Sequence, residues 1–442
     1  MRKNRWSFKF SKILLIVLIL ALATVAGIQL GEFLLSIPKF GHYILSRLPT
    51  TDLVTDYTIG LIWAISLTVS IFLWPISNSD KRILLWLWFA RTAVTLGFML
   101  IYEYFYDLDA YNYFLASTRS DFPWERVGLG YGTPNLAALA WLHNQVLPTS
   151  YHALKVSFSM IGLLGIYLVY KSIVILLNYQ NQKILYCLGL FPSILFWSSI
   201  VGKDPIVFFG ICMYFYGIIK WQNKSNLFGM FLAIAGVFIS INIRIWLGPI
   251  LVFPLVVFAA ISIRGILPKL ITVGLAIAIF MVTVNQFSSH FAIESAEEVV
   301  STVDRLAQAQ SIGGSSQDLG GFFSFSDMIA FWPLAVFTTL FRPLPGEVLN
   351  PFGLLAGVEN LILIIFFFST LKQTRWETWK NPVVIWMSLL ILTWASIYGF
   401  YSSANLGAAV RFKLQILPIF LGFLFYLNSQ IIQTKMNKNQ KN

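Results

Sequence analysis

Long apolar runs separated by short polar segments make up most of the chain. A sliding window of about 19 residues finds twelve such runs, and each approaches the roughly 20 residues that a bilayer-spanning helix needs. They cover residues 13–36, 57–77, 83–104, 153–177, 184–201, 204–220, 226–243, 246–262, 267–286, 351–371, 382–400 and 408–428. The pattern predicts an all-α, polytopic integral membrane protein whose residues 1–442 form a single transmembrane domain.

Five basic residues precede the first apolar run, as in a secretory signal peptide. They are Arg2, Lys3, Arg5, Lys9 and Lys12. The run continues to about Ser36, however, which is longer than the apolar region of a cleaved signal. We therefore predict that this first helix is retained.

Composition supports the membrane assignment and limits the classes of partner that we expect. Hydrophobic residues make up 57% of the chain and charged residues 11%, which excludes an ordinary soluble domain. The formal net charge of +12 comes from basic residues scattered between apolar runs, so we expect membrane lipids and no nucleic acid as partners. Cys187 and Cys212 lie inside apolar runs, and with the histidines they form no disulfide framework and no metal-ligand spacing.

The basic residues also predict the orientation, because cytoplasmic loops retain Lys and Arg. With the N-terminus inside, 19 basic residues fall in inner segments and 9 in outer ones. This bias predicts a multi-pass protein of the plasma (inner) membrane with both termini cytoplasmic. A thirteenth run, 328–341, would move later basic segments outside if it crossed fully, so we predict that residues 328–347 form a re-entrant hairpin returning to the outer face.

Two long outer loops, 105–152 and 287–327, hold ten of the 19 acidic residues. The inner loops are short and lack a nucleotide-binding P-loop. No internal repeat is visible, so the inverted-repeat signature of many secondary transporters is missing. Any chemistry is therefore expected at the outer face, where residues 135–147 predict an amphipathic surface helix and the glycines of 128–132 are interpreted as ordinary loop glycines.

The first candidate site lies where the third apolar run ends. Asp107 and Asp109 stand two residues apart among tyrosines, and a carboxylate at a membrane interface can serve as a general base. Residues two apart on a helix point about 200° apart, so only one of them can face a cavity if the helix continues through Phe114. The alternative interpretation is an aromatic belt with acidic helix caps.

Further candidates are charged residues at the predicted outer ends of later runs. Lysine ammonium groups and the planar fork of arginine both bind phosphate. The candidates for binding a lipid phosphate are Lys203, Asp204, Arg244, Arg342, Glu347 and Arg411. Each group also has a purely structural interpretation. Lys203 and Asp204 could form a tight turn, and Arg342 and Glu347 could belong to a rigid proline turn. The cations before the last span could extend to lipid headgroups, which is what we expect of Lys413. Arg91 and Glu359, inside predicted spans, are interpreted as a structural pair.

Short motifs together resemble the membrane glycosyltransferases of the C superfamily, which use polyprenyl-phosphate-linked sugars. They are Asp-x-Asp-Ala-x-x-Tyr-Phe (Asp107 to Phe114), Trp-Ser-Ser-x-x-x-Lys-Asp (Trp197 to Asp204) and Arg411 before the last span. The Arg-Pro-x-Pro-x-Glu segment from Arg342 is similar to one in bacterial membrane proteins of polysaccharide clusters. The acidic loop follows the third span here, whereas it follows the first in many members.

The resemblance implies a glycosyltransferase that moves a sugar from a polyprenyl-phosphate donor to a cell-surface glycan or lipid acceptor on the outer face. In the superfamily an acidic residue of the first outer loop is the catalytic base, which would be Asp109 or Asp107. Basic residues near later loops bind the lipid phosphate, which would be Lys203, Arg342 or Arg411. No cofactor is implied, although a divalent metal stays open. An O-antigen or exopolysaccharide polymerase and a lipid or oligosaccharide transporter remain alternatives.

Cysteine substitutions at Ser315, Gly346 and Thr378 test the predicted topology. In sealed cells we expect a membrane-impermeant thiol reagent to label Ser315→Cys and Gly346→Cys, which are predicted to lie outside. Thr378→Cys should react only after the cells are opened. Labelling of Thr378→Cys from outside would refute the hairpin.

Overall fold

The computed structural model describes residues 53–105, 109–224, 226–263, 265–291, 295–311, 314–319 and 321–441. In these ranges the chain is helical, and the only extended pairing is a single bridge between Ser316 and Asn405. The first ten helices are α1 (Leu53–Leu73), α2 (Asn78–Ala93), α3 (Met99–Phe105), α4 (Asp109–Ser117), α5 (Gly132–Val146), α6 (Tyr151–Leu177), α7 (Gln182–Leu190), α8 (Pro192–Trp197), α9 (Lys203–Lys224) and α10 (Leu227–Ile243). The others are α11 (Leu247–Ser262), α12 (Ile266–Phe291), α13 (Ala296–Gln310), α14 (Phe325–Phe341), α15 (Pro351–Gln373), α16 (Trp376–Trp379), α17 (Pro382–Ser402), α18 (Leu406–Lys413) and α19 (Leu417–Lys441).

Six of the described helices are long and apolar enough to cross a membrane: α1, α6, α9, α12, α15 and α17. A seventh span results if α18 and α19, which meet at an angle of 64°, are counted as one broken helix. The apolar helices α10, α11 and α14 are shorter. Because a helix satisfies its backbone polar groups internally, this architecture indicates a membrane-embedded helical protein. Twelve full-length spans are not confirmed by these helices.

Two predicted spans consist of shorter pieces. The run 184–201 forms α7 and α8, because the ring of Pro192 supplies no N–H and cannot continue the preceding helix. The run 83–104 comprises α2, a π-helical segment (Val94–Phe98) and α3. The first predicted span, 13–36, lies outside the described residues, as does the predicted cytoplasmic N-terminus.

The central helix α6 packs against α1, α9 and α19, and its N-terminal end carries a buried polar network. The Lys155 ammonium donates to the Glu103 carboxylate of α3 at 2.9 Å, and the Tyr151 hydroxyl donates to the same carboxylate at 2.9 Å. Tyr111 of α4 stacks on Tyr151 with ring centroids 5.0 Å apart. The network thus fixes α4, whose first residue is Asp109, against the end of α6.

The two long loops that are predicted to lie outside are largely helical. The first contains α4 and α5, and the second contains α13 between the ends of α12 and α14. A capping box starts α13, where Ser295 and Glu298 satisfy each other's backbone N–H groups. The helix predicted over residues 135–147 is present as α5, and it exposes Leu142 and Val146. Its placement on the leaflet stays a prediction.

α14 and the segment after it form a reversing path beside α15. α14 has 17 residues, about 25 Å of length, and its last residue, Phe341, contacts Phe367 in the second half of α15 with ring centroids 5.3 Å apart. The chain then runs back towards the start of α15. The Pro343 carbonyl accepts a hydrogen bond from Asn360 at 2.8 Å, and Val348 lies beside the first turn. A re-entrant hairpin requires such a path, although its side of the membrane stays a prediction.

Candidate functional site

The carboxylate of Asp204 is shared by two arginines from distant parts of the chain. Asp204 lies in the first turn of α9, and its side chain is fully buried. One oxygen accepts a hydrogen bond from Arg244 Nη2 at 3.0 Å, and the other accepts from Arg411 Nε. Arg244 belongs to the corner between α10 and α11, and Arg411 belongs to α18. The ion pairs therefore join three segments at one end of the helices.

The guanidinium of Arg244 is buried, and both of its terminal nitrogens donate to protein groups. Besides Asp204 it donates to the Tyr398 hydroxyl at 3.2 Å, and the indole N–H of Trp246 donates to that hydroxyl at 3.1 Å. The ring centre of Phe412 lies 4.4 Å from the guanidinium carbon. Since both of its terminal nitrogens are used and aromatic rings surround it, Arg244 serves to hold Asp204 in place.

Arg411, by contrast, is partly open. Its side chain is 27% exposed, and only Nε is used in the contact with Asp204. Within the described ranges, neither terminal nitrogen has a hydrogen-bond partner. The two terminal nitrogens of this guanidinium are therefore available as donors to an anion, in the fork geometry that matches phosphate.

Lys203 begins α9 and lies half-buried beside the same cluster. Its side chain has no ion-pair partner among the described residues. Its Cε lies 3.4 Å from where a Cβ on Gly132 would be, and that Cβ would lie only 2.3 Å from the carbonyl oxygen of Ile243. Only glycine permits this close approach.

The glycine loop 128–132 is therefore part of the site, although the sequence interpretation dismissed it. The Asn135 side-chain amide donates to the Gly128 carbonyl at 2.7 Å and to the Asn242 carbonyl at 2.5 Å. These bonds tie the loop to the corner that carries Arg244. The spacing of glycines alone could not reveal this role, because the carbonyls of Asn242 and Ile243 lie more than a hundred residues away in the chain.

Asp109 is exposed at the start of α4, within electrostatic reach of the cluster. Its charge interacts with Lys203 and with Arg411. Burial, and next the charge of Asp109, raise the pKa of the Tyr113 hydroxyl one turn along α4, while Arg411 opposes the shift. Tyr113 is therefore a neutral hydroxyl near pH 7, able to donate a hydrogen bond.

Asp107 lies outside the described residues. The helices on either side are α3, which ends at Phe105, and α4, which begins at Asp109. Which of the two aspartates faces a cavity therefore stays a prediction. A first-turn aspartate also interacts favourably with the helix dipole, so the helix-cap interpretation of Asp109 stays open.

Arg342 and Glu347 form a separate ion pair. Arg342 Nη2 lies 2.7 Å from Glu347 Oε1, and Nη1 donates to Gln317 at 3.2 Å. Burial alone would raise the pKa of the Glu347 carboxyl, but hydrogen bonds from Arg342 and from the Leu344 N–H hold it below its ordinary value. Within the described ranges no contact joins this pair to Asp204. The sequence-predicted candidates are thus divided between two places.

The interpretation of Arg91 and Glu359 as a pair is wrong, because each charge binds a different end of the short helix α8. Glu359 accepts the backbone N–H of Ser193 at 2.8 Å, at the N-terminus. Arg91 donates to the Ser198 hydroxyl at 2.9 Å, just past the C-terminus. The unpaired N–H groups at the N-terminus of a helix attract negative charge, and the unpaired C=O groups at its C-terminus attract positive charge. Glu359 and Arg91 therefore each lie at the end that favours their charge.

Lys413 does not snorkel. Its side chain is only 2% exposed, and its ammonium donates to the side-chain oxygen of Asn360 on α15. An internal partner replaces the water that a snorkelling lysine would reach, so the interpretation from sequence is corrected.

Half-buried aromatic rings lie beside Arg411. The ring centre of Trp197 is 5.8 Å from the guanidinium carbon. Trp197 packs edge to face on Phe196 and on Tyr102, with centroids 4.9 and 6.3 Å apart, and Phe352 lies 5.3 Å from Tyr102. An open cationic group therefore borders a continuous apolar surface.

Comparison with models of protein families, with curated proteins and with solved structures gives no match for this chain. In the described part of the chain, no group of three His, Cys, Asp or Glu side chains is arranged to hold a metal ion. The site is therefore defined by its own geometry: three cations and two carboxylates at one end of a set of apolar helices.

Asp204→Asn preserves the side-chain shape and removes the charge that both arginines share. Because a buried arginine then lacks its counter-ion, we expect a loss of about 3–5 kcal/mol in stability, measured by thermal denaturation in detergent. The control is Asp121→Asn, which changes an exposed acid of the first outer loop. Equal unfolding temperatures for both variants would show that the ion pairs do not hold these segments together.

Proposed function

We propose that the protein is a glycosyltransferase of the plasma membrane that moves a sugar from a polyprenyl-phosphate donor to a glycan or lipid acceptor on the outer face. One observation carries the proposal: packing brings Asp109, Lys203 and Arg411 to one place, beside an apolar aromatic surface. This arrangement combines a candidate base with an open anion site.

The donor phosphate would bind Lys203 and the terminal nitrogens of Arg411. Asp204 already neutralises part of the arginine charge, yet three cations against two carboxylates leave the cluster positive. When the bond between the anomeric carbon and the phosphate oxygen breaks, the lipid phosphate departs with an additional negative charge. Fixed cations stabilise that charge as it develops, and Arg244 and Asp204 keep Arg411 in place meanwhile.

Asp109 would act as the general base. The acceptor hydroxyl oxygen attacks the anomeric carbon, and the carboxylate takes the hydroxyl proton as the new glycosidic bond forms. The exposure of Asp109 leaves it accessible to an acceptor from the aqueous side. Tyr113 can donate a hydrogen bond nearby without competing as a base.

The aromatic surface favours a lipid-linked donor over a soluble one. Trp197 lies beside Arg411, and the rings of Phe196, Tyr102 and Phe352 extend the apolar surface from it. An amphipathic molecule, with a phosphate on an isoprenoid chain, matches both surfaces at once. A free anion would use only the cationic half.

A transfer assay tests the proposal directly. Purified protein is incubated with a panel of radiolabelled polyprenyl-phosphate sugars and an extract of cell-envelope acceptors. We expect label to move from at least one donor to a glycan or glycolipid. Failure of every donor to bind or to transfer label would overturn the assignment, and products of repeating length would identify a polymerase instead.

Asp109→Asn should reduce transfer by roughly 10²- to 10⁴-fold, as expected for a lost general base, while donor binding persists. The amide keeps the side-chain shape but cannot accept the proton. Asp107→Asn should have a smaller effect, and the matched control Glu125→Gln, at an exposed acid of the same loop, should have none. Near-normal transfer by a folded Asp109→Asn protein would make this residue a helix cap.

Arg411→Ala should weaken binding of a polyprenyl phosphate by about 10- to 150-fold, or about 1.5–3 kcal/mol, the range for a hydrogen bond to a charged group. Arg411→Lys should recover only part of the affinity, because the planar fork is lost. Titration of the lipid into protein held in nanodiscs measures both. Arg126→Ala, at an exposed arginine of the first outer loop, is the control. Unchanged affinity in Arg411→Ala would place the phosphate elsewhere.

A further inference from the structure

The helix that carries Arg411 is too short to hold its own position. α18 has eight residues and meets α19 at a bend of 64°. Its first turn is capped by Asn405, whose side-chain oxygen accepts the N–H groups of Gly407 at 2.9 Å and Ala408 at 3.1 Å. An isolated helix of this length is unstable, so contacts at its two ends decide where Arg411 lies.

The N-terminal end is held by residues 315–317, which we call the strap. The Leu406 N–H donates to the Ser315 carbonyl at 3.0 Å, and the Gln317 N–H donates to the Ala404 carbonyl at 2.7 Å. The Ser315 hydroxyl donates to the capping oxygen of Asn405 at 2.8 Å. The strap therefore fixes both the backbone and the cap at the start of α18.

Arg342 in turn holds the strap. Its Nη1 donates to the side-chain oxygen of Gln317 at 3.2 Å. Its Nε donates to the two Glu347 oxygens at 2.8 and 3.0 Å, and the Leu344 N–H donates to Glu347 at 2.6 Å. Glu347 thus orients the fork, and the remaining side of the fork reaches the strap.

The C-terminal end of α18 is connected through Asn360 to Pro343, the residue after Arg342. The Pro343 carbonyl accepts from the Asn360 amide nitrogen at 2.8 Å, and the Asn360 oxygen accepts from the Lys413 ammonium. Lys413 is the last residue of α18. Two consecutive residues, Arg342 and Pro343, therefore connect to opposite ends of the helix.

We propose that the turn 342–347 is a clamp that sets the position of α18, and that Arg342 is a positioning residue for Arg411 and not a phosphate ligand. The donors of Arg342 that face Glu347 and Gln317 are already used, whereas the terminal nitrogens of Arg411 are open. The effect of the clamp on lipid-phosphate binding rests on the proposed function. Its effect on α18 does not.

Two variants separate positioning from direct binding. Arg342→Lys keeps the positive charge but has no fork to hold Glu347 and Gln317 together, and Gln317→Ala removes no charge at all. In both we expect amide hydrogen exchange over residues 404–413 to accelerate about tenfold and affinity for a polyprenyl monophosphate in nanodiscs to fall about five- to tenfold. This loss is smaller than the one expected for Arg411→Ala, because Arg411 is displaced but keeps its charge.

Arg119→Ala is the matched control, because it removes an exposed outer-loop charge that has no contact with the strap among the described residues. Exchange and affinity should remain as in the wild type. Unchanged exchange over 404–413 in both Arg342→Lys and Gln317→Ala would overturn the clamp. If wild-type protein binds no polyprenyl phosphate, the proposed function fails, while the exchange measurement still decides the clamp.

Discussion

The buried carboxylate of Asp204 is the interaction on which the site depends. An ionised group without water is tolerated only when it is paired and hydrogen-bonded. Asp204 meets that requirement with Arg244 on one oxygen and Arg411 on the other. Because the three residues come from α9, the α10–α11 corner and α18, satisfying one carboxylate draws three segments together and leaves an open guanidinium at their junction.

The degree to which each arginine is satisfied distinguishes its role. The terminal nitrogens of Arg244 and Arg342 contact protein partners, whereas those of Arg411 have no hydrogen-bond partner among the described residues. A ligand can bind a committed group only by displacing an existing hydrogen bond. An arginine with unpaired donors, held in place by a fully paired carboxylate, is therefore a better indicator of an anion site than the number of arginines nearby.

Short helices supply the polar contacts in a frame of long apolar ones. α8 offers the Ser193 N–H to Glu359 at its start and the Ser198 carbonyl to Arg91 just past its end, and α18 places Lys413 against Asn360. Long helices have few such ends within the apolar layer. These buried charges therefore contact points where helices break, and the candidate site lies beside two such breaks, between α8 and α9 and between α18 and α19.

The amino-acid sequence by itself determined the helical class, the apolar segments and the candidate charges at helix ends, because hydropathy and backbone hydrogen bonding act locally. Even the break at Pro192 follows from local chemistry. The sequence could not determine that Arg411 pairs with Asp204, more than two hundred residues away, whereas Arg342 pairs with a neighbour. Every arginine carries the same guanidinium group, so its partner cannot be read from the residue itself. Only tertiary packing decided which helices meet, and so which charges could be satisfied together and which stayed open.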